Sequence, residues 1–487
     1  MTNDDQNPAS EQTLRARGFT NMIEVQFQDG RMVELDQTPD GACAFRSEED
    51  AISVNELNDF IRNQGCRNAE RIFEESSEDN ADAEFLASMD DVEAPDLSGI
   101  YVLHFPEHKD VHDIARQLRS YAGVKHAAPL PLTKFALVPQ TPTDELLFPV
   151  RDKSRDFQWY INRCKVDEAW KLGYTGKEVV IADLDSGFQT EHPDLKGRFN
   201  LNRAFNTVTG NNQLSKSGNN LRHGTAVAGQ AGAAADGSGM VGIAHDAELW
   251  PIEVGPPLPQ APDPIVDPRA WAKAIMQVIK FICTEKRRVV VIIEGQTFRN
   301  GNITQITMIR EAVLSAIAHG AVVCVAAGNG NHEVSETDCD DLLGPCHGEI
   351  FKPAGIIVGA TDINDLPYQD IVSREGTNFG DAIVVSAPGD PMHDLTCTAD
   401  LTSAFPYTPF FGATSGATAK VAGAVALILQ ANDQLNHADV EQIFRNTGTP
   451  ITSKPLGRLL NCEEAVLMAE KFPGGLLETD RGGLAPS

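Results

Sequence analysis

Four polar residues, each at the end of an apolar run, could between them transfer an acyl group. Asp185 closes VVIADLD, and His223 opens the small-residue stretch HGTAVAGQAG. Asn329 follows VVCVAAG, and Ser415 sits between threonine and glycine at the head of GATSGATAKVAGAVALILQA. Each has a plain reading of its own. Asp-Ser-Gly and Gly-Asn are turn sequences, a lone histidine is usually structural, and a serine at a helix mouth can simply cap it. Together they supply a hydroxyl nucleophile, an imidazole to take its proton, a carboxylate to orient the imidazole, and an amide N–H for an oxyanion.

Chain order narrows the choice. An α/β-hydrolase runs serine, acid, histidine and carries Gly-x-Ser-x-Gly. Here the order is aspartate, histidine, serine, and Gly-Ala-Thr-Ser-Gly places the serine one residue out of that frame.

The elements that must hold these groups are legible as alternating runs. VVIADL, ELWPIEV, RRVVVIIEG, AVVCVAAG and GIIVGAT read as strands covered on both faces. Helical patterns fall between them near 224–235, 269–284 and 306–319. This predicts a three-layer, open, mostly parallel sheet with helices on both faces, its functional residues at the C-terminal strand ends. The predicted span of this unit is 158–472, followed by a tail at 473–487.

The N-terminal third reads as smaller pieces. Residues 1–71 hold a strand, MIEVQF, and a helix with Ser53 and Glu56 at capping-box spacing. An acidic linker at 72–99 follows, with ten Asp or Glu and no Lys or Arg between Ile72 and Asp96. Residues 100–138 predict a β-α-β unit, with Asp110 ahead of Val111, Ile114, Ala115 and Leu118 at helical spacing. Such a unit is too small to bury much core alone, so it should lean on a larger neighbour. A second linker covers 139–157.

Composition bounds the function. The chain has 487 residues and a formal net charge of −29, which argues against a nucleic-acid partner. The first twenty residues lack the apolar core of a secretory signal, and no apolar run is long enough to span a bilayer. Nine cysteines spread over the whole length suggest a reduced, cytoplasmic chain, with Cys339 and Cys346 the one pair placed for a local bridge.

Residues 158–469 resemble the subtilisin-like serine proteases. The resemblance rests on DSG at Asp185, HPDL at His192–Leu195, HGTAVAG at His223, AAGN at Asn329 and TSGATAKVAG at Ser415. It implies a serine endopeptidase in which Asp185, His223 and Ser415 form the triad and Asn329 the oxyanion donor, with no cofactor needed for the chemistry. It also implies that 100–138 is an inhibitory prodomain, with self-cleavage between Pro139 and Phe157. Its partners would be a protein or peptide substrate and its own prodomain-like segment.

Two departures bear on the cleft. Ala419 stands where the family usually has proline, and Ile293-Glu294-Gly295 replaces the usual Ser-x-Gly of the substrate-pairing strand. Glu294 and Gly295 are therefore substrate-binding candidates. With Glu333, Glu336, Asp338, Asp340 and Asp341 in the loop after Asn329, Glu294 suggests a preference for Lys or Arg before the cut bond. Asp194 and Asp236 align with positions that help bind calcium in some relatives. Two carboxylates fall short of the six to eight oxygens calcium takes, so surface aspartates are the plainer reading and structural calcium stays an alternative.

Two rival functions remain open at this level. Asp183-Leu184-Asp185 and GDPMHD at 389–394 also resemble motifs of magnesium-dependent haloacid dehalogenase-type phosphatases, with Asp183 as nucleophile. A catalytically silent protease scaffold serving as a binding module is the other.

Overall fold

The computed structural model describes residues 19–73, 94–135 and 158–473, apart from 29–33, 38–42, 47–50, 67, 96, 98, 217, 219–220, 256–264, 335–351, 371–374, 392–393 and 403–404. Both linker centres, the Cys339/Cys346 pair and the C-terminal tail lie outside these residues.

The N-terminal region departs from its predicted division. Strands β1 (Phe19–Phe27), β2 (Asn68–Arg71), β3 (Ile100–His104) and β4 (Val124–Pro131) form one sheet in the order β2-β3-β1-β4. The split between 1–71 and 100–138 is therefore not a structural boundary. β1 fills the place between β3 and β4, antiparallel to both. Helix α1 (Ala51–Asn63) and helix α2 (Val111–Leu118) accompany this sheet. α2 is capped by Asp110, which accepts from the backbone N–H groups of His112 and Asp113, and it buries Val111, Ile114, Ala115 and Leu118 as its spacing requires. Ser53 falls inside α1, not at its cap, because the helix begins two residues earlier.

The larger unit is built on a parallel sheet of β6 (Val180–Asp185), β7 (Glu248–Glu253), β9 (Val289–Ile293), β11 (Val322–Ala326), β12 (Ile356–Thr361) and β13 (Ile383–Pro388). Its central order is β13-β12-β11-β9-β6-β7, with short edge strands outside β13 and β7. Every residue of β6, β9, β11, β12 and β13 is buried, which is why these runs read as unbroken hydrophobic stretches. One face is covered by α4 (Leu221–Gly232) and α7 (Ala413–Ala431), the other by α5 (Pro268–Glu285) and α6 (Thr307–Ala318).

The two units share one core. Met22, Phe73, Ile100, Val102, Leu130 and Phe135 of the N-terminal unit join the cluster formed by α5, α6 and the sheet face beneath them. Arg269 of α5 pairs with Glu70 of β2 at 2.7 Å across the contact. The chain then continues from β4 into β5 (Thr133–Lys134). This short strand lies between β8 (Ile265–Val266) and β10 (Gln296–Thr297), antiparallel to each.

Candidate active site

β6 ends at Asp185, whose carboxylate is fully buried. Its Oδ1 accepts from Ser186 N at 2.5 Å and Ser186 Oγ at 3.0 Å, and its Oδ2 lies 2.7 Å from His223 Nδ1. His223 stands in the first turn of α4, and its Nε2 lies 3.1 Å from Ser415 Oγ in the first turn of α7. With Asp185 as acceptor, Nδ1 carries the proton and Nε2 accepts from the serine hydroxyl.

Two glycines permit this approach. A Cβ on Gly224 would sit 2.5 Å from Gly187 O and 2.9 Å from Asp185 Cβ, so α4 could not come this close to the end of β6. A Cβ on Gly295 would strike the Trp271 ring at 2.4 Å. Just before Ser415, Ala413 holds φ at 50°, a left-handed conformation that a residue with a Cβ adopts at some cost. It turns the chain sharply into α7.

Asn329 follows β11 and is buried beside Ser415's helix. Its Oδ1 accepts from Thr414 N at 3.1 Å and Thr414 Oγ1 at 2.9 Å, while its Nδ2 donates to Gln296 Oε1 at 3.3 Å. This network assigns the amide orientation. Gln296 and Thr414 were not foreseen. Neither residue type carries a signal by itself, and only the folded register puts them on the two sides of Asn329.

The gap between β8 and β10 is filled by the protein's own chain. Lys134 lies opposite both Ile265 and Gln296, and Thr133 opposite Val266 and Thr297. Phe298 N donates to Leu132 O at 2.8 Å. The Phe135 ring is 5.3 Å from the His223 ring and 5.1 Å from that of Trp271. The end of the N-terminal unit thus reaches the histidine itself.

Several expectations need correction. Glu294 does not face the cleft as an exposed acid; it is 2 % exposed, turned inward beside Asp183 and Asp185. The register explains this: Ile293 pairs with Leu184, so the next residue falls beside Asp185. Burial and the neighbouring carboxylates push the Glu294 carboxyl well above the usual range, and burial with Asp185 does the same to Asp183. Asp194 is not a surface aspartate. Its Oδ2 accepts from Met240 N at 2.9 Å, and burial raises it to about 6. Nearby, His192 Nε2 donates to Pro406 O at 2.8 Å and Cys397 supplies a buried thiol. A carboxylate, an imidazole and a thiol do not match calcium, which takes oxygen ligands. Asp236 is engaged by Ser238 N and Oγ at 3.0 and 2.9 Å. Asp394, the last acid of the phosphatase-like motif, is held by Lys420 at 2.8 Å and Trp159 at 2.8 Å, and Asp183 is sealed in the core. Neither is free to attack phosphate or bind magnesium.

The sequence profile of the subtilase family matches residues 176–463. The chain belongs to this family and is a serine endopeptidase of the subtilisin type. It is 28% identical over 316 residues to subtilisin BL of Lederbergia lenta, an alignment covering 63% of this chain and 97% of that protein. It is 33% identical over 261 residues to an intracellular serine protease of Paenibacillus polymyxa, covering 52% of this chain and 68% of that one. Among solved structures, fervidolysin from Fervidobacterium pennivorans, a keratinolytic enzyme related to subtilisin, superposes with a TM-score of 0.58 at 17% identity. That match covers 92% of this chain and 61% of fervidolysin, and it bears on the fold alone. Among the described residues no helix is long and apolar enough to cross a membrane.

Proposed function

We propose that Ser415 is the nucleophile, His223 the general base and Asp185 the orienting carboxylate of this endopeptidase, with Asn329 donating to the oxyanion. The observation that carries this reading is the continuous chain from Asp185 through His223 to Ser415, at 2.7 and 3.1 Å. As Oγ attacks the scissile carbonyl, Nε2 takes its proton and then delivers it to the leaving amine, while Asp185 stabilises the imidazolium. Water repeats the sequence to release the acid. The second N–H of the Asn329 amide and the N-terminus of α7 favour the negative oxygen. Gly295 lets the Trp271 ring pack against the backbone just ahead of β10, where a Cβ would meet it at 2.4 Å.

The unit 19–135 acts as an inhibitory prodomain, since its last strand lies antiparallel between β8 and β10 as a substrate would. Cleavage between Pro139 and Phe157 converts the tethered inhibitor into one that can leave. Buried Cys164, Cys324, Cys397 and Cys462, none in a disulfide, fit a reducing, cytoplasmic setting. A preference for Lys or Arg before the cut rests on the loop after Asn329, where Glu333 is exposed, because Glu294 is withdrawn from the cleft.

Intact mass spectrometry of wild type beside Ser415→Ala, with phosphonate labelling, tests the mechanism. Wild type should self-process and add one phosphonate; the variant should do neither and lose turnover by the order seen in subtilisin itself, ~10⁶-fold in kcat. Turnover like wild type in Ser415→Ala would sink it.

A further inference from the structure

Three carboxyl groups share the sheet face beneath α7. Asp183 and Asp185 are two apart on β6 and so point the same way, and the pairing of Ile293 with Leu184 brings Glu294 alongside. The rest of this face is apolar, with Ile181, Ile292 and Cys324. The titratable groups facing Glu294 are Asp183 and Asp185 from β6, His223 from α4 and Cys324 from β11. The one lysine of α7, Lys420, is engaged by Asp394, Gln230 and Gly416 O.

The hydrogen bonds are divided unequally. Asp185 accepts from Ser186 N, Ser186 Oγ and His223 Nδ1. Both oxygens of Asp183 and both of Glu294 are buried with no N–H or hydroxyl donor to accept from, and Glu294 meets the Asp185 carboxylate itself. An unpaired carboxylate in such a place protonates sooner than remain charged, whereas one that accepts several donors holds its charge.

We propose that Glu294 is a positioning residue that works in its protonated form, holding the negative charge of the cluster on Asp185. Glu294 offers an oxygen within 4.8 Å of both an Asp185 carboxylate oxygen and a His223 ring nitrogen. As a neutral acid it buttresses Asp185 without adding a second anion beside the imidazole. Ionised, it would hold His223 protonated and withdraw the base. The proposal rests on the triad reading above.

The test is the pH dependence of kcat/KM for wild type, Glu294→Gln and Glu294→Ala, with Ser415→Ala as control. The amide of Glu294→Gln is neutral and nearly isosteric, so its acid limb should lie within about 0.3 pH unit of wild type with kcat largely kept. Glu294→Ala should lose kcat by roughly 10–100-fold at little changed KM, a loss of about 1.4–2.7 kcal/mol. An acid limb displaced by a unit or more to lower pH in Glu294→Gln would mean that wild-type Glu294 is charged, and would overturn the proposal. So would full kcat in Glu294→Ala. If Glu294→Ala fails to fold, the profile of Glu294→Gln still decides. An active Ser415→Ala would instead remove the triad reading, so the two failures are distinguishable.

Discussion

Asp394 and Glu294 are both buried acids under helix α7, yet they reach opposite electrical solutions. Asp394 meets Lys420 at 2.8 Å with neither side chain exposed. Burial works against both charges, but Trp159 donates to the carboxylate, and the ammonium adds Gln230, Gly416 O and the Tyr160 ring at 4.5 Å. Every polar atom has a partner, so the pair can stay charged. Glu294 and its neighbour Asp183 have no cation and no donor. The difference teaches where ions are structural and where protons are held in reserve. The ion pair ties α3 (Trp159–Arg163) to α7 through Trp159, while the carboxyls stand behind His223.

The comparison can be broken most severely on its charged side. Lys420→Met leaves Asp394 buried and unpaired, which should destabilise the fold by about 3–5 kcal/mol. Urea titration would measure this, and adding Asp394→Leu should recover much of the loss. If the single variant costs nothing, the pair is not a charged one. Next in size is Asn329→Ala, whose loss in kcat should match the 10²–10³-fold seen for the corresponding change in subtilisin, with the stability curve little changed.

A smaller effect sharpens the neutral side. Asp183 titrates higher in the folded chain than in the unfolded one. Its contribution to stability is therefore fully present below the unfolded value and is lost as pH rises through the folded one. Asp183→Asn should raise the melting temperature at pH 8 and leave it nearly unchanged at pH 4, by about 2–4 °C for each kcal/mol recovered. A gain of equal size at both pH values would contradict the assignment of a proton to Asp183.

The smallest concerns Glu24 in the contact between the two units. Burial raises this carboxyl to about 7, opposed by His126 and the backbone N–H groups of Met308 and Thr307, and reinforced by Glu311. Docking of the cleaved N-terminal unit should therefore be tightest below about 4.5 and weaken as pH rises through about 7. Glu24→Gln should flatten that dependence. Inhibition constants across pH 5–8 would show it, and an unchanged slope in the variant would refute it.

The parallel sheet and the four site positions were legible because each strand is a local apolar run, Asp185 and Asn329 follow two of those runs, and His223 and Ser415 open two small-residue helices. The union of 19–27 with 100–131 was not. β1 pairs with partners more than 70 positions away, and no local pattern encodes that, as the Met22–His104 register illustrates. Glu294 was misplaced for a related reason. Its type suggested a cleft acid, but the register of β9 against β6 decides its direction. Asp194 looked like surface because aspartate usually is; its burial depends on the Met240 loop folding over it.

Under the inhibitory role proposed for the N-terminal unit, the β5 strand, Thr133–Lys134, has a consequence for how much of the enzyme is active at a given dose. While 135 and 158 remain connected, the blocking strand's effective concentration is fixed by the tether at roughly millimolar, so diluting the protein changes nothing. Once the connection is cut, occupancy of the cleft follows mass action. A concentrated pool of cleaved molecules then stays largely silent, and the same pool becomes active as it spreads out.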